Sequence, residues 1–293
     1  MKIDANSVTF EPQDMAFVKK FGILEATEMA LDYHAEHPNL PFLYDAEQLA
    51  GFLGISRGEL NDIVNHIQKE YKEAHLPKKD GTYRSLCVPS IRLRFCQDPI
   101  KEKILPQLPV SKFATAYQKG STTRGNAEPH IGKKFLLKLD ITDFFGSITF
   151  EQVQRTAFNT RYVSRQVGYL LTSLCCKDDS LPQGAATSPA LSNIVMYRFD
   201  DYIGRWCSQR QIAYTRYCDD MTFSANRPLY GVYQKVKTML REMGFELNES
   251  KTHFIGNDNR QSVTGLVVNE KLSIPSGYKR DLRQEVYYAL KFG

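Results

Sequence analysis

The sequence lacks the long hydrophobic run of a membrane-spanning helix, because no stretch of it approaches about 18 apolar residues. Its first residues, Met1-Lys2-Ile3-Asp4-Ala5-Asn6, also lack the basic-then-apolar order of a secretion signal. These absences argue against a membrane protein and a secreted protein. We therefore expect a cytoplasmic location and no membrane partner.

The residue spacings of zinc and redox sites are missing as well. The six cysteines include no Cys-x-x-Cys pair, and adjacent Cys175 and Cys176 are poorly placed to bridge each other. His34 and His37 lie three residues apart, but their polar, proline-flanked surroundings favour a surface pair over metal ligands. We expect reduced, mostly buried thiols.

Internal repeats and low-complexity tracts are also absent. The chain has 293 residues, of which 42% are apolar and 24% charged. These values are typical of a soluble globular protein with one large or two ordinary domains. A formal net charge of +5 permits a polyanionic partner without demanding one.

Apolar spacing predicts helices in the first part of the chain, over residues 11–37 and 45–71. Residues 46–56 resemble the first half of a DNA-binding helix-turn-helix. Because no clear basic recognition helix follows, we prefer two core-packed helices joined by a Gly-Ile-Ser turn. Residues 78–84 predict a hairpin with an Asp-Gly turn, and residues 91–104 predict a further helix.

Strand and helix signals alternate in the later part of the chain. Residues 135–139 predict an apolar strand, and Thr149 with Gln152 has the form of a capping box. Ser188 is predicted to cap a helix that has proline at its first position. The apolar face of that helix is Leu191, Ile194, Val195, Phe199, Ile203 and Trp206. This order predicts an α+β protein with an antiparallel sheet and helices on one face.

Two adjacent carboxylates, Asp219 and Asp220, lie between two runs typical of strands, residues 212–217 and 221–224. A tight turn would place both at the tip of a hairpin. Adjacent like charges repel, and a fold gains little from that placement unless a cation lies between them. The pair therefore indicates a divalent metal.

A third carboxylate, Asp140, follows the predicted apolar strand. A single aspartate at a strand end is more often a cap or an ion-pair partner. Three converging carboxylates, however, can hold two Mg²⁺ ions about 4 Å apart and align an attacking hydroxyl, a phosphorus and a leaving oxygen. We therefore predict that Asp140, Asp219 and Asp220 bind two Mg²⁺ ions for nucleotidyl transfer.

Two further segments have features that suit a nucleotide. Gly184, flanked by small residues, allows a nucleotide or base to lie on the backbone, and Gln183 offers hydrogen bonds to it. Taken alone, a plain loop before a helix explains these two residues better. Lys78, Lys79 and Arg84 can neutralise a triphosphate, although a solvated charged hairpin is the usual alternative for such a run.

The order of these motifs resembles that of reverse transcriptases. The motifs are the cationic hairpin, Asp-x-x-Asp-Phe-Phe at 140–145, Leu-Pro-Gln-Gly-x-x-x-Ser-Pro at 181–189, Tyr-x-Asp-Asp at 217–220, and Lys251. The resemblance covers residues 45–290 and is specific because all the motifs match in order. It implies an RNA-directed DNA polymerase that uses deoxynucleoside triphosphates.

Two more segments resemble the retron reverse transcriptases of bacteria. Residues 126–130 are similar to their Asn-Ala-x-x-His insertion, and residues 263–265 to their Val-Thr-Gly segment, which is implicated in choosing the cognate structured RNA. The resemblance implies that a 2′-hydroxyl of a guanosine in a cognate non-coding RNA primes a branched RNA–DNA product. RNA contacts are thereby assigned to Asn126, His130, Val263, Thr264 and Gly265.

The same resemblance implies roles for individual residues at the site. A backbone carbonyl at Ile141 would add a metal ligand, Phe145 would exclude a 2′-hydroxyl, and Lys251 would protonate the pyrophosphate. The residues expected to hold the incoming nucleotide are Lys78, Lys79, Arg84, the backbone around Asp143 and Phe144, Gln183 and Gly184.

The fold implied is the right-hand polymerase, with fingers and an antiparallel palm sheet. We expect a helical extension over 1–44, fingers over 45–135 and in part 150–187, a palm over 136–260, and the primer grip and thumb start over 261–293. Because the sequence stops at Gly293, just after a predicted first thumb helix, the thumb is expected to be truncated or largely absent.

The family implies a neighbouring effector or toxin protein as a partner, in anti-phage defence. Cys218 stands where alanine is usual in retrons, and its small side chain predicts little loss of activity. One alternative is another bacterial type, such as a group II intron or diversity-generating enzyme, which the retron-like segments disfavour. Another is a non-catalytic or weakly catalytic RNA-binding scaffold that sequesters an effector, for which a broken carboxylate set is expected. A DNA-binding repressor would explain none of the acidic motifs.

Overall fold

The structure is a computed structural model that describes residues 2–4, 7–77, 81, 83–161 and 163–292. The chain divides into two compact units. Unit 1 comprises Met1–Pro109 and Phe145–Val195, and unit 2 comprises Val110–Phe144 and Met196–Gly293. Residues 110–135, predicted as part of the fingers, belong to unit 2.

The α-helices of the described residues vary from one short turn to six turns. They are α1 Met15–Phe21, α2 Ile23–Glu36, α3 Ala46–Leu53, α4 Arg57–Asn65, α5 Ile91–Pro99, α6 Thr123–Ala127, α7 Phe150–Thr156, α8 Arg165–Cys175, α9 Ser188–Ser208, α10 Tyr230–Glu242 and α11 Ser276–Phe292. None of these helices combines the length and the apolar character that crossing a membrane requires.

The strands of the described residues are short and pair in an antiparallel manner. They are β1 Lys2–Asp4, β2 Ser7–Thr9, β3 Tyr71–Pro77, β4 Tyr83–Pro89, β5 Phe135–Asp140, β6 Ala213–Tyr217, β7 Asp220–Ala225, β8 His253–Gly256, β9 Ser262–Val263 and β10 Leu266–Val267.

The first part of unit 1 is helical, as predicted, and residues 11–37 contain the two helices α1 and α2. Gly22 separates α1 from α2 with a φ of 80°, a conformation that favours glycine. Asp45 caps α3 by accepting from two backbone N–H groups, and Ser56 opens α4 with a capping box. Buried side chains on both α3 and α4, such as Leu49 and Ile63, support the packed-helix interpretation.

The predicted cationic hairpin is present in unit 1. Strands β3 and β4 pair from Tyr71 opposite Pro89 to Pro77 opposite Tyr83. Most of the turn that joins them, including Lys78 and Lys79, lies outside the described residues. Most side chains of the hairpin are exposed.

The other two predicted helix starts in unit 1 have different outcomes. The capping box of Thr149 and Gln152 is present at α7. At α9 the cap is Thr187, whose carbonyl accepts from the N–H of Leu191 at 3.0 Å, and not Ser188 as predicted. The Ser188 hydroxyl instead donates to the carbonyl of Pro182 at 2.7 Å, which fastens the preceding loop to the helix.

The centre of unit 2 is a four-stranded antiparallel sheet with the order β6-β7-β5-β8. Strand β5 is central, and its apolar residues Leu136 and Leu137 are buried on opposite faces. Tyr214 of β6 stacks on Phe223 of β7 with ring centroids 4.6 Å apart. The division between the units falls inside α9, whose predicted apolar face is buried except for half-buried Trp206. The predicted α+β class with an antiparallel sheet is confirmed.

Candidate active site

The ends of β5 and β7 bring two of the three predicted carboxylates together. Asp140 and Asp220 are direct partners in the antiparallel register. Such partners have Cα atoms about 5 Å apart and side chains on the same face of the sheet. The backbone N–H of Ile141 donates to the carbonyl of Asp219 at 3.2 Å, so the third carboxylate residue lies beside them.

Cys218 and Asp219 form the two-residue turn between β6 and β7, with Tyr217 paired to Asp220. Cys218 has a φ of 62°, which is rare for a residue with a side chain. Positive φ at the first turn position is typical of the primed hairpin turns, which match the twist of the strands. The hairpin tip is therefore held in a conformation that a non-glycine residue adopts only when its surroundings impose it.

A buried ion pair supplies part of that restraint. Arg216 and Asp200 are both fully buried, with 2.6 Å between Arg216 Nη2 and Asp200 Oδ2. The Tyr214 hydroxyl donates a hydrogen bond to Asp200 Oδ1 at 2.7 Å. The Arg216 guanidinium also donates to the carbonyl of Cys218 at 2.8 Å, directly before Asp219. The hydroxyl of Tyr117 donates to Cys218 Sγ at 3.1 Å. The turn is thus fixed through its backbone and through its side chain.

The electrostatics of the site favour a bound cation. Asp140 is 5% exposed, and burial raises its pKa, an effect that Lys251 opposes and Asp219 reinforces. Burial also raises the pKa of Asp220, and the negative charge of Asp219 adds to the shift. Both carboxylates therefore lack enough positive charge around them to offset their desolvation.

Lys251 brings a positive charge into direct contact with one of these carboxylates, that of Asp140. Its Nζ lies 2.9 and 3.0 Å from the two carboxylate oxygens of Asp140, and this hydrogen bond raises the pKa of Lys251. The loop before Lys251 is fastened to β5, because the N–H of Asn248 donates to the Asp140 carbonyl at 2.8 Å. A charged lysine with a solvent-exposed side chain is thus held at the acidic site.

The donor set suits Mg²⁺, which prefers carboxylate and carbonyl oxygens. Asp140, Asp219, Asp220 and the backbone of Ile141 supply such oxygens side by side. Within the described residues, however, no group of three or more His, Cys, Asp or Glu side chains is already arranged as a metal cluster. The carboxylate of Asp140 is bound by Lys251 instead. The two Mg²⁺ ions remain a prediction.

The residues predicted to hold the triphosphate are distributed over both units. Arg84 is exposed on β4, and Gln183 accepts from the N–H of Cys87 through its backbone carbonyl at 2.7 Å. Gly184 has a φ of 123°, and a Cβ atom there would lie 2.9 Å from the Cys87 carbonyl oxygen. Close packing of the loop on β4 therefore explains this glycine, while its exposed side stays open for the predicted nucleotide.

The segment after Asp140 turns sharply. Asp143 is exposed with a φ of 42°, and Phe144 is buried with its ring centroid 6.1 Å from that of Phe245. The Arg216 guanidinium carbon lies 5.8 Å from the Phe144 ring centroid, a cation–π contact. Phe145, the predicted sugar gate, is half-buried and is the first residue of a segment of unit 1.

The two retron-like segments contact each other in unit 2, although they are far apart in sequence. Thr264 and Gly265 form a tight turn between β9 and β10 with φ values of 44° and 83°. Asn126 donates from Nδ2 to the Thr264 hydroxyl at 3.4 Å, and that hydroxyl donates to the carbonyl of Thr123 at 3.1 Å. The two motifs thus form one local structure.

Burial differs among the residues of these two segments. His130 is 0% exposed and hydrogen-bonds with Ser224 at 2.7 Å and with Thr215 at 2.9 Å. Asn126 and Val263 are also buried. In this structure the hydrogen bonds of Asn126 and His130 and the burial of Val263 hold the segment together, and RNA contacts by these three side chains stay a prediction. Thr264 and Gly265 remain accessible, and their RNA contacts stay a prediction.

Sequence reasoning missed Arg216 and Asp200 as supports of the site. A signal was present, because Arg216 stands in a run whose neighbours are aromatic and β-branched, and Asp200 follows buried Phe199 on the apolar helix. A charged residue in such a run is rarely buried without a partner. The local sequence pattern could not predict that Arg216 and Asp200 are partners of each other.

Comparisons with known proteins show the family of the chain. A family model described as "Reverse transcriptase (RNA-dependent DNA polymerase)" matches residues 76–268. Retron Ec83 reverse transcriptase from Escherichia coli is 34% identical over 233 residues, which cover 74% of this chain and 75% of the relative. The chain belongs to the retron reverse transcriptases. The predicted family and enzyme class, an RNA-directed DNA polymerase, are thereby confirmed.

Other retron reverse transcriptases are similarly related. Retron Ec86 reverse transcriptase from Escherichia coli is 28% identical, with 90% of this chain and 84% of the relative covered. Retron Mx65 reverse transcriptase from Myxococcus xanthus is 32% identical, with 83% of this chain covered. The chain spans 62% of the length of that relative.

A solved structure with the same fold is a telomerase from Candida albicans, in complex with a TWJ fragment of telomeric RNA. It aligns with a TM-score of 0.50 and 13% identity over 77% of this chain, which spans 52% of the telomerase chain. At this identity the likeness concerns the fold alone, and it supports the predicted polymerase architecture.

Proposed function

We propose that this retron reverse transcriptase synthesises DNA on an RNA template from deoxynucleoside triphosphates, with Asp140, Asp219 and Asp220 as its catalytic carboxylates. The observation that carries the proposal is the register of β5 and β7, in which Asp140 and Asp220 are direct partners beside the Asp219 turn. The raised pKa values of Asp140 and Asp220 add support, because two partly buried acids side by side suit a cation.

The cation that fits these oxygens is Mg²⁺, held by the three carboxylates and the Ile141 carbonyl. When bound, it supplies charge stabilisation for the attacking hydroxyl and the leaving oxygen of phosphoryl transfer. The chain's own residues position the reactants and move the proton. Lys251, a protonated lysine whose pKa is raised further by its hydrogen bond to Asp140, would donate that proton to the departing pyrophosphate as a general acid.

The substrate contacts follow from charge and from exposure. Arg84, with Lys78 and Lys79 from the same hairpin, would neutralise the triphosphate together with the backbone around Asp143 and Phe144. Gln183 and the open side of Gly184 would pack on the incoming nucleotide, and Phe145 would exclude a ribose 2′-hydroxyl by its bulk. Magnesium and deoxynucleotides are therefore the proposed ligands.

The retron type extends the proposal to the nucleic-acid product. We infer that the enzyme copies a cognate structured non-coding RNA, primed from a guanosine 2′-hydroxyl, into RNA-linked single-stranded DNA. The accessible turn of Thr264 and Gly265, supported by Asn126, is the proposed contact with that RNA. Anti-phage defence with an effector protein, and a cytoplasmic location, complete the proposal.

The names of the polymerase subdomains are part of the same proposal. The four-stranded sheet with the carboxylates, within residues 136–260, would be the palm, and the hairpin of β3 and β4 would belong to the fingers. Residues 1–44 would be a helical extension, and residues 261–293 the primer grip with the first thumb helix, which is α11.

Primer extension tests the proposal directly. Asp219→Asn with Asp220→Asn should abolish DNA synthesis on an RNA template while the protein stays folded. Asp178→Asn with Asp179→Asn is a matched control, because this second adjacent aspartate pair is exposed in unit 1. Wild-type extension by the first variant would refute the catalytic assignment.

A further inference from the structure

A group of cations and aromatic rings lies on the surface of unit 2, outside the residues assigned to the active site. Arg198, Tyr202 and Trp206 lie four residues apart on α9, and Arg210 continues the spacing in the turn after it. Residues at this spacing lie on one face of a helix. Arg198 and Tyr202 are exposed, and Trp206 is half-buried.

Lys235 and Arg227, from other parts of unit 2, complete a surface group that we name the aromatic–cation patch. Its members are Arg198, Tyr202, Trp206, Arg210, Arg227 and Lys235. Lys235 of α10 has its Nζ 4.9 Å from the Tyr202 ring centroid and 5.3 Å from that of Trp206. The Arg210 guanidinium carbon lies 4.6 Å from the Trp206 ring centroid. Arg227 donates to the backbone carbonyl of Arg210 at 2.9 Å.

The patch carries excess positive charge. Asp201 is paired with Arg205, with 3.0 Å between Asp201 Oδ2 and Arg205 Nε. By contrast, no ion pair to a carboxylate of the described residues is made by Arg198, Arg210, Arg227 or Lys235. Like charges gathered on one surface repel each other, and cations that lack carboxylate partners beside accessible aromatic rings suit a polyanion that also has flat apolar faces.

A groove adjoins the patch and adds polar groups. It has a volume of about 570 Å³ and is lined by Tyr202, Gln234, Lys235, Thr238, Met239 and Glu242. Gln234 and Thr238 can donate or accept hydrogen bonds, and Glu242 accepts them. A carboxylate beside a phosphate-binding surface suits a hydroxyl donor of the ligand better than a further phosphate.

We infer that the aromatic–cation patch binds a single-stranded segment of RNA, with its cations on phosphates, Tyr202 and Trp206 against bases, and the groove accepting ribose 2′-hydroxyls. Stacking on aromatic rings and contact with cations are the two components of single-strand binding. The 2′-hydroxyl is the group by which a protein distinguishes RNA from DNA, and Glu242 offers it an acceptor. The inference rests on the proposed function in one respect, namely that RNA is the template of this enzyme.

Intrinsic fluorescence tests this inference, because Trp206 is the sole tryptophan of the chain. Titration of the full chain with an oligouridylate of about 10 nucleotides should quench the emission. The oligodeoxyuridylate of the same length should bind at least several-fold more weakly. Tyr202→Leu, which leaves Trp206 in place, should weaken RNA binding about tenfold by removing one stacking surface.

A charge variant provides a second, independent measurement. Arg210→Gln with Lys235→Gln should weaken RNA binding and reduce the slope of log affinity against log salt by about 1.4, since two phosphate contacts are lost. Arg241→Gln with Lys101→Gln makes the same charge change at exposed positions, one on another face of α10 and one in unit 1, and should leave the slope near that of the wild type.

The outcomes separate this inference from the proposed function. Both double variants should keep wild-type extension of a short generic primer–template, because none of these residues belongs to the carboxylate site. RNA binding without a change in Trp206 emission would overturn the inference, and so would equal losses in the two charge variants. Equal quenching by RNA and DNA would overturn the assignment of the occupant as RNA.

Discussion

Two β-hairpins of this chain have the same topology and opposite surroundings. The aspartate hairpin, β6 and β7 with Asp219 and Asp220 at its tip, lies within a four-stranded sheet, and most of its side chains are buried. The cationic hairpin, β3 and β4, has no further strand beside it in the described part of the chain, and most of its side chains are exposed.

The difference concerns what each hairpin must hold. The aspartate hairpin presents Asp219 and Asp220 at fixed positions. Its own Arg216 donates to the Cys218 carbonyl and is paired with Asp200 of α9, and His130 binds it from outside through Thr215 and Ser224. The cationic hairpin presents charge, which acts over a longer range and tolerates movement. Precise placement requires burial, whereas charge attraction does not.

The largest predicted effect comes from removing the buried ion pair that supports the aspartate hairpin. Arg216→Met leaves Asp200 buried without its ion partner, which should lower the free energy of unfolding by about 3–5 kcal/mol. Denaturant unfolding measures the change. A matched control is Arg205→Met on α9, the helix that carries Asp200. Its partner Asp201 is partly exposed, so the free energy of unfolding should fall by less than about 1 kcal/mol. Equal losses would contradict the supporting role of Arg216.

The next effect concerns the lysine beside Asp140. Lys251→Ala removes the proposed general acid, so the rate of nucleotide addition should fall about 100-fold with little change in stability. Single-turnover primer extension measures that rate.

Lys237→Ala is the control for Lys251. Lys237 is paired with Glu249, with 2.6 Å between Nζ and Oε1, and Glu249 lies two residues before Lys251. In the bonds described, Lys237 contacts none of the three carboxylates proposed to be catalytic. The rate of the Lys237→Ala variant should stay close to that of the wild type. A Lys251→Ala rate no lower than that of Lys237→Ala would exclude a catalytic role.

A smaller effect depends on pH. Burial lowers the pKa of His130 to about 3, below the value of about 6.5 expected in the unfolded chain. The unfolded chain therefore binds the proton first, and stability falls as the pH drops below about 6.5. From pH 7 to pH 5, His130 should cost about 2 kcal/mol of stability.

Unfolding of His130→Gln across the same pH range isolates this contribution. The variant should lose less stability between pH 7 and pH 5 than the wild type, although its absolute stability is lower. His253→Gln, at an exposed position of the same sheet, should keep the wild-type dependence. An unchanged pH dependence in His130→Gln would show that the buried histidine does not cause it.

The smallest stability effect is predicted for the cationic hairpin. Arg84→Ala should change the free energy of unfolding by no more than about 0.5 kcal/mol, because the side chain is exposed. The KM for deoxynucleotides should nevertheless rise about tenfold through a lost charged hydrogen bond. Lys72→Ala, exposed on the paired strand, serves as control. Equal KM values would remove Arg84 from the nucleotide site.

The two hairpins also show what the sequence can and cannot predict. Strands predicted at 212–217 and 221–224 are observed at Ala213–Tyr217 and Asp220–Ala225. These strands could be predicted because their aromatic and β-branched composition and the short turn between them are properties of neighbouring residues. The joint placement of Asp140 and Asp220 required the order of several motifs, since no local pattern specifies register between distant strands.

The supports of the site were not predictable in the same way. Asn126 meets Thr264 across 138 residues, and His130 meets Thr215 across 85. Such contacts arise from tertiary packing, which the sequence pattern around Asn126 and His130 does not specify. The Arg216–Asp200 pair was missed for the same reason.

Binding of Mn²⁺, a spectroscopic substitute for Mg²⁺, tests the carboxylate site most directly. Paramagnetic resonance of the free ion, with primer–template and a deoxynucleotide present, should show tight binding by the wild-type protein and by the exposed control Asp178→Asn. Asp140→Asn should weaken that binding at least about tenfold, because a charged oxygen ligand is lost. Equal Mn²⁺ affinity in all three proteins would contradict the assignment of Asp140 to a metal-binding catalytic centre.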